Sequence, residues 1–168
     1  MEKDSDIKKD DVKFSYSGNA GKSDGTGQAG AGFAAKGREL AARSDLPALE
    51  EIMKILLSPQ GCPWDRKQTH ESLMKYMREE TEEAAQAVAN RDWDNLKEEL
   101  GDCLLQIVFH AEMARLEGHF TMADVIRGIN SKMVRRHPHV FGEKTAENPE
   151  AVLKLWNEIK KKEKEDKK

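Results

Sequence analysis

The sequence predicts an all-α protein, a helical bundle of about five helices that follows a flexible N-terminal tail. Apolar residues recur at intervals of three and four from residue 45 onward, which is the period of an amphipathic helix. No run of alternating β-branched residues competes with that pattern. The chain is therefore divided into a tail over residues 1–44 and a helical domain over residues 45–168.

The tail is predicted from its composition. It begins with a charged stretch and continues as a segment rich in Gly, Ser and Ala, which buries too little apolar surface to offset the entropy lost on ordering. Neither a secretory signal nor an apolar run of about 18 residues, the length of a membrane span, is visible. Cys62 and Cys103 lack the spacing of a metal or redox motif. We expect a soluble, cytoplasmic protein without a membrane partner, and the net charge of −3 argues against binding a nucleic-acid polymer.

The first two helices of the domain are separated by a loop. Pro47 suits an early position of the first helix, whose apolar stripe consists of Leu46, Leu49, Ile52, Met53 and Leu56. The loop over residues 58–63 ends this helix. The second helix is expected from about Thr69 to about Ala89, and its stripe consists of Leu73, Met77, Ala84 and Val88.

The remaining helices have legible ends. The third is expected over residues 93–116 and is apolar nearly all round in its middle, which predicts the buried centre of the bundle. The fourth begins with Thr121 as its N-cap and Asp124 three residues later. It ends before Pro138, because the residue before a proline is pushed out of the α region. The last helix starts at residues 148–149 and runs into a Lys- and Glu-rich end.

Carboxylates occupy the inner faces of the second and third helices. Glu80 falls within the apolar stripe of the second helix, and Glu83 borders it. Glu99 and Asp102 occupy comparable positions on the third helix. None of the four has a Lys or Arg three or four residues away, and we expect all four to be at least partly buried. A buried carboxylate without a partner normally becomes neutral, pairs with a cation or binds a metal.

The spacing of these carboxylates suits a metal site. Each pair is three residues apart, so each helix offers two oxygen ligands on one face, and two packed helices can bring four together. Oxygen ligands without Cys or His favour Mg²⁺ or Mn²⁺. A di-iron site of the Glu-x-x-His type is disfavoured, since no Glu stands three residues before any histidine. The competing interpretation is a solvated acidic face, and the spacing alone leaves both open.

The carboxylate pattern resembles that of the MazG family of nucleoside triphosphate pyrophosphohydrolases, members of the all-α NTP pyrophosphatase superfamily. The family motif is EExxE followed by ExxD, and here it reads Glu79-Glu80-x-x-Glu83 and Glu99-x-x-Asp102. The similarity covers nearly everything from Ser44 onward, through residues 61–73, 104–120, 135–142 and 152–163. It implies a hydrolase acting on acid anhydrides, which converts NTPs or dNTPs to the monophosphate and pyrophosphate.

The resemblance also implies cofactors and roles. The reaction would depend on Mg²⁺, with Mn²⁺ as a substitute, in a homodimer or homotetramer. The metal ligands, which are also catalytic, would be Glu80, Glu83, Glu99 and Asp102. Glu79 would be an additional catalytic carboxylate, either activating water or supporting the ligands.

Substrate-binding residues follow from the same resemblance. Lys132 and Arg136 match basic residues that contact phosphates, with Arg135 as a weaker candidate. Trp156 matches a base-contacting tryptophan, and Gln68 is a candidate for reading the base. Two alternatives remain open: the cations form an exposed basic helix end that suits the macrodipole, and the tryptophan packs in the core.

A second function class remains open beside the enzyme. The chain could be a catalytically weak or silent helical module that binds nucleotide or a partner through an oligomer surface. The intact set of carboxylates argues against it, because a binding module has no need for four buried acids without cations.

Overall fold

The computed structural model describes residues 28–166, with side chains from residue 33, and this part of the chain is helical without a β-strand. The elements are α1 (Gln28–Ala41), α2 (Leu46–Leu56), a 3₁₀ turn (Asp65–Lys67), α3 (His70–Asn90), α4 (Trp93–Leu116), α5 (Met122–Arg136), α6 (Pro138–Phe141) and α7 (Pro149–Glu165). The all-α prediction is confirmed. Among the described helices, none combines the length and hydropathy needed to cross a bilayer.

Helix α1 lies within the range that composition predicted to be a flexible tail. The sequence did not predict this helix over Gln28–Ala41, and the flexibility of the segment stays a prediction. Alanine, the best helix former, recurs in this segment, and the Leu40 side chain is only 2% exposed, so apolar burial accompanies the helix. The rest of the predicted tail, residues 1–27, lies outside the described residues. The chain divides into units of residues 1–36 and 37–168, and the second unit contains α2 to α7.

Polar N-caps begin the long helices. The Thr121 hydroxyl accepts a hydrogen bond from the Asp124 N–H at 3.3 Å, and the Asp124 carboxylate accepts one from the Thr121 N–H at 3.0 Å, so the predicted start of α5 is confirmed. Thr69 forms the same kind of capping box at the start of α3. Asn148 accepts from the Ala151 N–H at 2.9 Å and begins α7. Each such cap contributes about 1 kcal/mol.

Helix α4 is the centre of the domain, where it packs against α2, α3 and α5. These elements supply one apolar core, which consists of Met53, Leu57, Leu73, Val108, Phe109, Ala111, Met113 and Met122. Helix α7 packs against α5, and none of its described residues is fully buried. The carboxylate-bearing helices α3 and α4 are therefore anchored in the core, whereas α7 is peripheral.

One face of α4 is exposed although the sequence predicted burial nearly all round. Val108, Phe109 and Ala111 are buried as expected, but Leu104 is 40% and Ile107 38% exposed. Leu100 and Trp93 continue the same exposed stripe about one and three turns before Leu104. The prediction is wrong for this face because α2, α3 and α5 leave it uncovered. The stripe of Trp93, Leu100, Leu104 and Ile107 is called the α4 stripe below.

The loop between α2 and the 3₁₀ turn folds back on the end of α2. The Cys62 N–H donates to the Leu56 carbonyl at 2.8 Å, and the Gly61 N–H donates to the Ser58 carbonyl at 2.8 Å. A Cβ atom at Gly61 would collide with the carbonyl oxygens of Ile55 and Leu56. Glycine is required here because the two backbones approach so closely.

Candidate active site

Helices α3 and α4 bring three of the predicted metal ligands together. One carboxylate oxygen from each of Glu80, Glu83 and Glu99 lies within 4.8 Å of the other two. Glu99 is 7% exposed, and Glu80 is partly buried. Glu83 is exposed, so the expectation that it would be partly buried is wrong; its position at the border of the apolar stripe turns it toward solvent. We call these three residues, together with Asp102, the acidic cluster.

The acidic cluster contains negative charge that the fold leaves uncompensated. Burial raises the pKa of Glu80, and the charges of Asp102 and Glu83 raise it further. Burial also raises the pKa of Glu99, followed by the charge of Glu83. None of the four carboxylates forms an ion pair with a Lys, Arg or His among residues 33–166. Burial and the neighbouring charges therefore favour the protonated forms of Glu80 and Glu99.

The donor set fits a hard divalent cation. Three carboxylate oxygens from two rigid helices converge without a nitrogen or sulfur ligand, which is the ligand chemistry of Mg²⁺ and Mn²⁺. Asp102 lies outside the group within 4.8 Å and acts on it through its charge. Glu79 is exposed, and its charge is the weakest of the carboxylate effects that raise the pKa of Glu80.

A second group of predicted site residues gathers on α5 and α7 around an unpredicted carboxylate, Glu163. The Arg136 Nη2 donates to Glu163 Oε2 at 2.7 Å and its Nε to the same oxygen at 3.2 Å. The Arg135 Nε donates to Glu163 Oε1 at 2.6 Å. The Arg136 guanidinium lies 5.0 Å from the centroid of the Trp156 ring. We call Arg135, Arg136, Trp156 and Glu163 the basic assembly.

The one carboxylate of the basic assembly is paired with both arginines. The hydrogen bonds from Arg136 and then Arg135 lower the pKa of Glu163 to about 2. The Arg136 side chain is 14% exposed and that of Glu163 17%. An exposed basic helix end therefore does not describe Arg136, although the 53% exposed Arg135 fits that interpretation better. Trp156 is partly buried and meets His137 edge to face, with 5.1 Å between the ring centroids.

Among the described residues, two predicted substrate residues form no side-chain hydrogen bond or ion pair with either group. Lys132 is exposed on α5 and forms no ion pair within the described part of the chain. The Gln68 amide forms hydrogen bonds with two nearby residues of the chain. Its Nε2 donates to the Trp64 carbonyl at 3.1 Å, and its Oε1 accepts from the Ser72 hydroxyl at 2.8 Å. No side-chain hydrogen bond or ion pair between described residues joins the predicted substrate residues to the acidic cluster.

Two features of these helices escaped sequence reasoning. Glu163 follows Trp156 by seven residues and so shares its face of α7, which was the only available signal. His70 and His110 stack with their Nδ1 atoms 2.7 Å apart, and burial lowers the pKa of His110. Since the two histidines belong to different helices, no local spacing predicts their contact.

Comparison with known proteins points to one family. A sequence profile described as the MazG nucleotide pyrophosphohydrolase domain matches residues 68–141. The nucleoside triphosphate pyrophosphohydrolase/pyrophosphatase MazG of Thermotoga maritima is 54% identical over 120 residues, which cover 71% of this chain and 46% of that protein. The nucleoside triphosphate pyrophosphohydrolase of Escherichia coli is 46% identical over 118 residues, which cover 70% of this chain and 45% of that protein.

A solved structure agrees with the sequence matches. The crystal structure of a MazG-related protein from Thermotoga maritima aligns with a TM-score of 0.59 and 33% identity, and the alignment covers 69% of this chain and 99% of that one. The chain spans about half the length of the curated relatives it matches.

Proposed function

The chain belongs to the MazG family, and from this premise we propose that it is a metal-dependent nucleoside triphosphate pyrophosphohydrolase. It would cleave NTPs or dNTPs between the α and β phosphates, releasing the monophosphate and pyrophosphate. The observation that carries the proposal is the acidic cluster, in which three carboxylate oxygens converge within 4.8 Å without a protein cation among the described residues. Relatives named for this activity support the choice of reaction.

The acidic cluster would hold Mg²⁺, with Mn²⁺ as a substitute. Glu80, Glu83 and Glu99 would supply the ligands, and Asp102, one turn after Glu99, would join them or orient them. A bound divalent ion neutralises phosphate charge and lowers the pKa of a water molecule at the site. Glu79, which is exposed and next to Glu80, would either accept a proton from the attacking water or support the ligands.

The basic residues would bind the rest of the nucleotide. Arg136, Arg135 and Lys132 carry permanent positive charge that can neutralise the phosphates, and their donors suit phosphate oxygens. Trp156 offers an aromatic face for the base, and Gln68 offers an amide. The acidic cluster alone would repel a triphosphate, so both groups are needed.

We further propose that the working form is a homodimer or homotetramer. The α4 stripe exposes four large apolar side chains on the helix that carries Glu99, and such a stripe is typical of a helix that packs against a partner. Light scattering behind a sizing column measures the mass directly. The proposed compartment is the cytoplasm, in keeping with two free thiols at Cys62 and Cys103.

Product analysis tests the proposed reaction. The protein is incubated with a panel of NTPs and dNTPs, with Mg²⁺ or with a chelator, beside a Glu80→Gln variant. Monophosphate and pyrophosphate, lost with chelator and in the variant, are expected. If no nucleotide is cleaved although metal and nucleotide bind, the silent binding module is the better description.

A further inference from the structure

We propose that Glu163 is a positioning residue, which fixes Arg136 against the Trp156 ring and holds Arg135 beside it as one preassembled nucleotide-binding surface. The inference rests on the proposed function, because it concerns how the triphosphate is bound. Glu163 itself would not touch the substrate.

The hydrogen-bond pattern leaves donors free for a phosphate. A guanidinium carries five N–H groups, and Glu163 accepts from the Nε and one Nη2 donor of Arg136. Both Nη1 donors and the second Nη2 donor remain. Arg135 uses only its Nε in this contact. Two guanidinium groups against one carboxylate leave the assembly positively charged, so it still attracts a polyphosphate.

The surroundings of this ion pair separate it from the surface pairs of the same domain. Arg136 and Glu163 are 14% and 17% exposed, whereas Arg127 and Asp124, also on α5, are 73% and 46% exposed. Limited exposure weakens the screening of charge by water and holds both side chains in one rotamer. An arginine ordered before binding loses less entropy when the phosphate arrives.

The same carboxylate joins the two helices that carry the assembly. No described residue of α7 is fully buried, so α7 rests on α5 through partly buried side chains and the Glu163 ion pairs. Trp156 lies two turns before Glu163 on the same face. Without the carboxylate, the neighbouring guanidinium groups of Arg135 and Arg136 lose their shared counterion. Arg136 then loses the hydrogen bonds that hold its guanidinium over the Trp156 ring.

A rival role for Glu163 predicts the opposite sign. If the carboxylate occupied the place of a substrate phosphate, nucleotide would have to displace it, and its removal would tighten binding. A positioning residue, in contrast, weakens binding when it is removed. The direction of the change in affinity therefore distinguishes the two roles.

The test compares Glu163→Gln and Glu163→Asp with the wild type in the full chain. Glu158→Gln is the matched control, because Glu158 is an exposed residue of α7 and the charge change is the same. KM and kcat are measured for the nucleotide that the wild type cleaves best. In parallel, titration calorimetry measures the binding of inorganic tripolyphosphate, which requires no hydrolysis.

The expected result is a change in KM without a comparable change in kcat. Glu163→Gln raises KM and the Kd for tripolyphosphate by about tenfold, with kcat changed less than about threefold, since the pair acts on binding and lies outside the reacting atoms. Glu163→Asp keeps the charge on a shorter side chain, and it raises KM and the Kd for tripolyphosphate by about threefold. Glu158→Gln matches the wild type.

The outcomes that overturn the proposal are distinct from those that overturn the function. Unchanged or lower KM and Kd in Glu163→Gln, or a wild type that does not bind tripolyphosphate, rejects the positioning role. If Glu163→Gln does not fold, unchanged constants in Glu163→Asp reject it. A wild type that binds tripolyphosphate but releases no pyrophosphate from any nucleotide contradicts the proposed function alone, and the tripolyphosphate arm still decides the role of Glu163.

Discussion

The acidic cluster and the basic assembly treat charge in opposite ways. On α3 and α4, like charges gather without a protein cation among the described residues, and the pKa values of Glu80 and Glu99 rise. On α5 and α7, one carboxylate lies between two arginines, and the pKa of Glu163 falls to about 2. Both groups lie at packed helix pairs of one domain.

The difference separates a carboxylate that is paired within the chain from carboxylates that have no ion-pair partner among the described residues. The basic assembly pairs Glu163 within the chain and keeps a net positive charge, because two arginines face one carboxylate. Glu99, which is buried in the acidic cluster, departs from the rule that buried charges are paired, and such departures concentrate at functional sites. Four predictions break or sharpen this comparison.

The largest effect is expected from Glu80→Gln. The variant keeps the shape of the side chain and removes one proposed ligand charge, so pyrophosphohydrolase activity falls by about 100-fold or more, because a metal ion supplies several kcal/mol of transition-state stabilisation. Steady-state pyrophosphate release measures the change. Glu82→Gln, an equal charge change at an exposed position of the same helix, serves as the control and stays near wild type.

The comparison would break if both variants behaved alike. Equal losses of activity in Glu80→Gln and Glu82→Gln would show that only the summed charge of α3 matters. Normal activity in Glu80→Gln would contradict the proposed metal site.

Metal should stabilise the protein through the acidic cluster. At an ion concentration about 100 times the Kd, Mg²⁺ or Mn²⁺ raises Tm by roughly 5–10 °C, corresponding to about 2.7 kcal/mol. Glu99→Gln removes a repelling charge from a side chain that is 7% exposed, so its Tm without metal lies above that of the wild type, and the metal response is lost. Differential scanning fluorimetry with chelator and with excess ion measures both the Tm shift caused by metal and the Tm difference between Glu99→Gln and the wild type. A Glu99→Gln protein that is less stable without metal would contradict the uncompensated charge.

The Glu163 ion pairs should stabilise the fold in a defined pH range. Because the folded pKa is lowered from 4.5 to about 2, the carboxylate contributes stability that is fully present above pH 4.5 and is lost as the pH falls through about 2. Glu163→Gln is therefore less stable than the wild type at about pH 7, and the gap narrows at about pH 3. Urea unfolding at each pH measures the gap. A gap that is independent of pH would assign the loss to packing.

The smallest effect is expected where charges are paired but exposed. Lys97 and Asp94 lie 3.1 Å apart on α4, with side chains 77% and 97% exposed. Lys97→Ala should leave the urea midpoint within experimental error, because solvent screens such pairs. A clear loss of stability would show that pairing alone, and not burial, distinguishes the basic assembly.

Local chemistry made the helix ends predictable. The caps Thr69, Thr121 and Asn148 start α3, α5 and α7 as expected, and Trp93–Leu116 agrees with the predicted range of α4. These signals act within a few residues of the chain. Helix α1 was missed because its Gly-rich composition outweighed its alanines, and the burial of Leu40 is a tertiary effect.

The site was predictable only in part, for the same reason. The convergence of Glu80, Glu83 and Glu99 follows from their spacing on two adjacent helices. The pairing of Arg136 with Glu163, 27 residues away, and the stacking of His70 on His110, 40 residues away, depend on how helices pack. The exposure of the α4 stripe was not predicted, because an apolar residue pattern does not indicate whether another helix of the same chain covers that face.

The tight turn at Gly61 affects how a mutational scan of this protein should be interpreted. Any side chain there meets the carbonyl oxygens of Ile55 and Leu56, so every substitution should lower the yield of folded protein. In a scan of all single variants scored by activity in cells, this position would be as intolerant as Glu80, although a glycine has no chemistry to lose. A parallel score for protein abundance would separate them, since Gly61 variants would disappear from the cell and Glu80 variants would accumulate inactive.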